Sequence, residues 1–278
     1  MRMTGLIGLA ICMTLAGVAV WFLSTSARRA HRMLTVLGNA TQVAHPEYRM
    51  RLQPPDGVFS LTLPLSFERQ SSGDSNGRQE VVENALGDLT VVPSFPSTDM
   101  TGYLREFAGG KGVDPVVREA AEREVRGLGK AVRATALVEL TRPLAEPELV
   151  EEMKPYGFGP QDMDKYFFMS SAVPAVAKPV FWSALGGCAE RGLGDCDERS
   201  ATKQFQQWVG SLADDDRHNL RRLGLDLKVL RDAAADGHVY GFVVNWMTRE
   251  DLLGLLGKPD VRNVYVVEAV PHSDRVPH

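Results

Sequence analysis

The chain has 278 residues, of which 44% are hydrophobic and 24% are charged, a composition typical of folded globular proteins and not of disordered ones. Four of its 31 Lys and Arg residues precede residue 33, so residues 33–278 hold 27 of them against 35 Asp and Glu, a formal charge of −8. Because nucleic-acid phosphates repel a domain this acidic, we do not expect it to bind DNA or RNA.

An apolar segment lies near the N-terminus. No charged residue occurs between residues 3 and 27. A helix needs about 20 apolar residues to cross the hydrocarbon core of a membrane. Trp21 suits the membrane interface, and Arg28 and Arg29 directly follow the segment and would stop its insertion. We therefore predict a transmembrane helix at residues 6–27.

A cleaved signal peptide is the alternative interpretation of this segment. The small residues of Ser24–Ser26 have spacing suited to cleavage. The apolar part of a signal peptide usually has about 7–15 residues, however, and this segment is longer. Its length favours a retained anchor.

The basic residues around the segment bear on its orientation. Arg2 lies in the predicted short cytoplasmic tail, residues 1–5, whereas Arg28, Arg29 and Arg32 follow the segment. Counted alone, these charges place the C-terminal domain in the cytoplasm, because cytoplasmic flanks are enriched in Lys and Arg.

Two cysteines give the opposite indication. Cys188 and Cys196, the only cysteines outside the apolar segment, lie in a Gly-rich stretch and are candidates for a disulfide. A small loop closed by a disulfide fits an oxidising compartment, which favours a domain outside the cytoplasm. The alternatives are two free thiols or half of a metal site. No other His or Cys has the spacing to complete such a site, so no metal is expected.

The residues after the apolar segment read as a helix followed by strands. We predict a juxtamembrane helix at residues 28–46 that ends at His45–Pro46, because the residue before proline is displaced from the helical region. Alternating apolar and polar residues at Tyr48–Leu52 and Val58–Phe67 then predict strands. Residues 47–97 thus form a β-rich part.

Residues 98–270 alternate between helical and strand-like segments. Asp114–Pro115 is a typical helix start, because proline is tolerated in the first helical turn. Further elements are predicted as strands at residues 132–140 and 166–170 and as helices at residues 146–153, 201–208 and 216–235. This region is predicted to be an α+β, sensor-like domain.

The C-terminal part has the clearest pattern. Val239–Trp246 reads as a strand, Thr248 caps a helix that ends at Leu256, and Val264–Val267 reads as another strand. The connection is long enough for a parallel crossover. We predict an α+β fold class: one transmembrane helix followed by an extracytoplasmic mixed α/β domain that ends in a βαβ unit. Residues 271–278 form a frayed tail.

One short motif could carry chemistry. Ser200-Ala-Thr-Lys203 matches the S-x-x-K pattern of penicillin-recognising serine enzymes, in which the lysine takes the proton of the serine. The companion motifs of those enzymes are absent from the sequence. The alternative is a serine that caps a helix beside an exposed lysine. We favour the cap, so we predict no catalytic residue and no enzyme.

The other polar clusters indicate structure more than chemistry. Asp214–Asp216 could bind a cation, but three carboxylates before a helix more often cap its N-terminus. The six histidines are scattered and none is part of an H-x-x-x-H pair. We predict no cofactor and no metal. A set of aromatic residues is predicted to be core: Phe167, Phe168, Phe181, Trp182, Phe205, Trp208, Phe242 and Trp246.

Several stretches resemble a known family. Ala30–Leu34 and His45–Tyr48 resemble the amphipathic helix and the start of the β region that follow the anchor in bacterial membrane-anchored sigma factor regulators. Ala136–Leu144 is similar to a strand of that family, Gly241–Leu253 to its strand-to-helix element, and Pro259–Arg262 falls at its final turn.

The resemblance implies a domain on the outer face of the membrane and negative regulation of an extracytoplasmic-function sigma factor. It also implies a protein partner, which would be the sigma factor or another membrane protein that contacts it. Met1–Met3 alone precede the apolar segment, so the contact would need an upstream extension or such a partner, or the chain keeps the architecture without the activity. A passive envelope structural or assembly factor is the alternative function.

Overall fold

The computed structural model describes residues 26–57, 60–69, 77–95, 100, 102–103, 107, 113–159, 163–169, 179–183, 193 and 200–271. The predicted cytoplasmic tail, the transmembrane helix up to residue 25 and the candidate disulfide of Cys188 and Cys196 lie outside these ranges. Within them, no helix has the length and apolar character required to span a membrane.

The described chain contains helices and strands with the following bounds. Helix α1 has three parts: α-helical residues 26–32, π-helical Met33–Gly38 and α-helical Asn39–Ala44. The other helices are α2 (Pro115–Gly127), α3 (Glu146–Met153), α4 (Ala201–Gly210), α5 (Arg217–Arg222), α6 (Leu227–Asp236) and α7 (Arg249–Leu256). The strands are β1 (Tyr48–Leu52), β2 (Leu61–Arg69), β3 (Gly77–Glu83), β4 (Leu89–Val91), β5 (Val132–Leu144), β6 (Met163–Phe168), β7 (Val180–Ser183), β8 (Val239–Met247) and β9 (Val261–Pro271).

The strands form two antiparallel sheets, so the predicted α+β class is confirmed. The first sheet has the order β1-β2-β3-β4, and each strand pairs with the next along the chain. Alternate residues of β2, Leu61, Leu63 and Leu65, are buried, because successive side chains of a strand point to opposite faces. Helix α1 packs against this buried face.

The second sheet has the order β7-β6-β8-β5-β9. Strands β8 and β9 both pair antiparallel with β5, so they run parallel to each other with β5 between them. The predicted βαβ unit is thus present as β8, α7 and β9, with its two strands parallel in one sheet and β5 between them. The long β5 offers backbone hydrogen bonds on both of its edges, and α7 crosses over it in a split βαβ arrangement.

The segment predicted as one helix at residues 216–235 is corrected, because it forms two helices, α5 and α6. Gly224 has a φ of +77° between them, a conformation that glycine adopts without steric penalty and that ends helices. The Asp226 side chain then accepts hydrogen bonds from the backbone of Lys228 and Val229, which starts α6.

One face of the second sheet carries most of the core. Helices α2, α4, α6 and α7 cover this face, and α1 and the first sheet belong to the same hydrophobic cluster. A smaller cluster on the opposite face includes Leu137, Phe167 and Val243. Seven of the eight aromatic residues predicted as core are buried, but Trp246 is 61% exposed. The register of β8 against β5 shifts beside it, and Trp246 has a φ of 60°, so it leaves the buried face.

A buried ion pair lies on the face of the second sheet that carries the smaller cluster. Glu139 of β5 is fully buried and contacts Arg262 of β9, with 2.8 Å between Oε1 and Nη1. The Tyr265 hydroxyl donates to the second oxygen of Glu139 at 3.1 Å. The register shifts here so that Asn263 faces Glu139 and Val261 faces Leu140. Arg262 is thus the extra residue of a β-bulge, which directs its side chain toward the carboxylate.

Replacement of Glu139 by Ala should lower the free energy of unfolding by about 3–5 kcal/mol, because the Arg262 guanidinium would stay buried without its partner. Glu119→Ala is the matched control, since the Glu119–Arg123 pair is 77% and 74% exposed and should contribute within about 0.5 kcal/mol. Urea denaturation of the two variants measures both values. Equal losses would show that the buried pair has no special role.

The alkaline limit of stability should depend on Tyr265. Burial, and then the adjacent Glu139 carboxylate, raise the pKa of the Tyr265 hydroxyl from 10.0 to about 12. Since the folded state holds this proton more tightly, its contribution is complete below about pH 10 and is lost as the pH rises through about 12. Tyr265→Phe should therefore make the decline of the urea midpoint across this range less steep. Superimposable pH profiles for the two proteins would contradict this assignment.

Candidate functional site

A cleft lies between the first half of α1, the turn that joins β3 to β4, and residues 213–219. Its volume is about 570 Å³, within the range of about 300–1,000 Å³ that is usual for ligand pockets. Val36 and Leu37 of α1 provide apolar lining, and charged side chains from all three segments surround them. The cleft is the candidate functional site because it lies beside the helix that follows the apolar N-terminal segment.

Two arginines of α1 join the walls of the cleft. The Nη2 atom of Arg29 lies 3.1 Å from Oε1 of Glu83 and donates to the Asn84 carbonyl at 2.7 Å. One turn further on, Nη2 of Arg32 lies 2.6 Å from Oδ1 of Asp216. Residues three apart on a helix share a face. Both arginines therefore bind the folded domain, whereas the sequence suggested only a stop to membrane insertion for Arg29.

The Asp214–Asp216 cluster has a structural role here. The second oxygen of Asp216 accepts a hydrogen bond from the Ala213 backbone at 2.7 Å, which caps the short turn of residues 214–216. Asp214 instead pairs with Arg231 at 2.8 Å. Asp216 is thus held on one side by the backbone and on the other by Arg32. In the part of the chain that the structure describes, no three His, Cys, Asp or Glu residues are grouped to hold a metal ion.

The β3–β4 turn forms the outer wall and is fixed in place. The Asn84 side chain accepts hydrogen bonds from the backbone of Leu86 and Asp88, at 2.8 and 3.0 Å. Asn219 of α5 donates to the Gly87 carbonyl at 2.7 Å and accepts from the Leu89 backbone at 3.1 Å. Leu86 is consequently held at the tip of the turn with 87% of its surface exposed.

The charges of the cleft favour cationic partners. The pairs of Arg29 and Arg32 neutralise Glu83 and Asp216, and the lining contains two further carboxylates, Asp88 and Asp215. An apolar wall beside carboxylates suits a basic side chain, which packs its methylene groups on apolar surface and keeps its charge near acidic groups. The lining also contains His218, and the groups present can form ion pairs and hydrogen bonds with a basic ligand.

The motif considered for catalysis lies elsewhere. Ser200 is the N-cap of α4, as the alternative interpretation predicted, and its hydroxyl accepts a hydrogen bond from the Lys203 backbone at 3.2 Å. The hydroxyl donates to the Glu146 carboxylate at 2.8 Å. Glu146 also accepts from the backbone of Ala201 and Thr202. A carboxylate at this position stabilises the positive end of the helix dipole.

Most residues that line the cleft cannot be predicted from the sequence. Glu83 and Asn219 are isolated polar residues with no motif around them, and the Arg29–Glu83 and Arg32–Asp216 pairs join residues far apart in the chain. One signal was available: Arg29 and Arg32 share a helix face that turns toward the apolar positions Met33, Val36 and Leu37.

No protein-family model matches the sequence, and neither the curated proteins nor the solved structures contain a match. The fold and the site define the class of protein: an α+β protein with two antiparallel sheets, whose helix α1 packs against both sheets and borders a polar cleft.

Removal of the Asp216 carboxylate should weaken the contact between α1 and the domain. Asp216→Ala should lower the free energy of unfolding by about 1–3 kcal/mol, because the Ala213 backbone and Arg32 both lose a partner. It should also speed hydrogen exchange in residues 26–32. Asp214→Ala is the matched control, since Asp214 is 71% exposed, and its effect should stay within about 1 kcal/mol. Unchanged exchange in residues 26–32 would contradict a role for Asp216 in holding α1.

Proposed function

We propose that the protein is a membrane-tethered extracytoplasmic regulatory protein, with a transmembrane helix at residues 6–27. In this proposal its role is similar to that of the negative regulators of extracytoplasmic-function sigma factors that the sequence resembles. One observation carries it: α1, which follows the apolar segment, is built into the core of the domain.

The burial of α1 distinguishes it from a passive stalk. Met33 and Ala40 are fully buried, and Val36, Leu37 and Val43 are at most 5% exposed. The helix contacts β1 and β2 of the first sheet and β7 of the second. A flexible or solvated linker would leave such residues exposed. A change in the domain therefore changes the position of the helix that leads to the membrane.

The cleft provides a place where binding can act on this helix. A ligand shifts a conformational equilibrium only by its difference in affinity for the two states. Arg29 and Arg32 of α1 line the cleft together with Glu83 and Asp216 of the domain, so a ligand bound there would contact both. The affinity of such a ligand must consequently depend on the position of α1. This dependence is the requirement for coupling between the cleft and the membrane end of α1.

The partner that fits best is a protein with a basic segment. The acidic rim of the cleft and the formal charge of −8 over residues 33–278 attract positive charge and repel nucleic acid. Such a partner could be the sigma factor itself or another membrane protein that binds it. The second candidate function, a passive envelope assembly factor, needs no coupling between the cleft and α1.

A transcriptional test separates the two functions. Deletion of residues 33–278, and Asp216→Ala in the full chain, should both change expression of the same set of genes, because the first removes the domain and the second breaks the Arg32–Asp216 contact through which it holds the N-terminal half of α1. Asp214→Ala should leave expression unchanged. Copurification of the tagged full-length chain in mild detergent should recover a sigma factor, directly or with a membrane protein. Recovery of envelope proteins alone, without a transcriptional change in the deletion strain, would support the assembly factor and refute regulation.

A further inference from the structure

We infer that the π-helical stretch Met33–Gly38 is a register switch in α1, which holds one residue more than an α-helix would need between its two anchored ends. The inference deepens the proposed function by naming the element that moves. It rests on that function only for its consequence at the membrane, and its structural test does not depend on a membrane or a partner.

The stretch is unusual in kind and in position. A π-helix closes hydrogen bonds between residues five apart, is rare, and occurs mostly as single turns inside α-helices, frequently at functional sites. Here six residues adopt it, between α-helical residues 26–32 and Asn39–Ala44. It therefore lies between the arginines that bind the cleft and the part of α1 that contacts the second sheet.

Buried polar side chains stabilise the junction between the two helix types. The Asn39 side chain donates to the Thr35 carbonyl at 2.7 Å, and the Thr41 hydroxyl donates to the Leu37 carbonyl at 2.8 Å. Asn39 and Thr41 are fully buried, and burial of polar groups is unfavourable unless they are hydrogen-bonded. Both side chains donate to carbonyls of the π-helical stretch, where the backbone hydrogen bonds change from the π to the α pattern.

Tertiary contacts hold both ends of the stretch. At the C-terminal end Gly38 lies against β1, where a Cβ atom would come within 2.6 Å of the Leu52 side chain. Upstream, Arg29 and Arg32 are paired with Glu83 and Asp216. Conversion of the stretch to α-helix would rotate residues 26–32 by about 100° and move them about 1.5 Å along the axis. That rotation would separate both ion pairs.

The two registers are therefore the π register with the ion pairs formed and the α register with them broken. The Arg32 side chain is 48% exposed and that of Arg29 is 23% exposed, and ion pairs of this kind contribute modestly to stability. A guanidinium or ammonium group in the cleft would compete with the arginines for Glu83 and Asp216. Such competition would favour the α register and rotate the chain that precedes α1.

Deletion of single residues tests the switch in the full-length chain in mild detergent. Deletion of Leu34, within the π-helical stretch, removes the extra residue and leaves an α-helix with both ends in place. The thermal midpoint should stay near that of the wild type, and exchange of the amides of residues 33–38 should slow by about tenfold or more. Deletion of Gln42, which is also half-buried but lies within the α-helical part, shifts one end and should lower the midpoint by several degrees.

A second measurement begins with the wild type. Its amides of Met33–Gly38 should exchange faster than those of Asn39–Ala44, and agmatine, which carries a guanidinium on an aliphatic stem, should speed exchange in residues 26–32. The Leu34 deletion should abolish this response. Equal loss of stability in both deletions, or wild-type exchange as slow in Met33–Gly38 as in Asn39–Ala44, would overturn the inference. Either result leaves the transcriptional test of the proposed function unaffected.

Discussion

The packing of α1 is the interaction on which the rest of the structure depends. The two sheets share no strand, and α1 contacts strands of both. Its apolar side chains belong to a core cluster that contains residues of both sheets. Lys165 of β6 strengthens the contact between α1 and the second sheet. Its ammonium group is buried and donates to the Pro46 and Tyr48 carbonyls just after α1. A buried ammonium is tolerated only with such partners, so the end of α1 is anchored in the second sheet.

The two ends of α1 differ in how firmly they are held. The C-terminal half is fixed by apolar burial, by the close approach of Gly38 to Leu52 and by the Lys165 contacts. Ion pairs at the edge of a polar cleft hold the N-terminal half. Apolar burial stabilises by about 25 cal/mol per Å², whereas partly exposed ion pairs contribute about 0–1 kcal/mol each. The half nearer the apolar segment is therefore the half that small changes in the cleft can release, and the π-helical stretch lies between the two.

Only part of the candidate site can be predicted from residues that are close together in the sequence. The arginines of α1 could be placed on one helix face from their spacing, and the Ser200 cap was visible from its motif. Their partners Glu83, Asp216 and Glu146 could not be named, because each comes from a distant segment. Trp246 shows the same limit in the core. Its place in an apolar run predicted burial, yet a shift of register between β5 and β8 turns it outward.

The sequence by itself determined the elements whose signals are local: the Asp114 and Thr248 caps, the strand–helix–strand order at the C-terminal end, the α+β class and the helical character of residues 28–44. Only the tertiary structure decided that β5 lies between β8 and β9, that Glu139 meets Arg262 at a bulge, and that α1 adopts π-helical turns. Caps and periodicity depend on residues a few positions apart. Strand order, bulges and helix register depend on contacts between distant segments that compete for the same core, and these leave no pattern within any one of them.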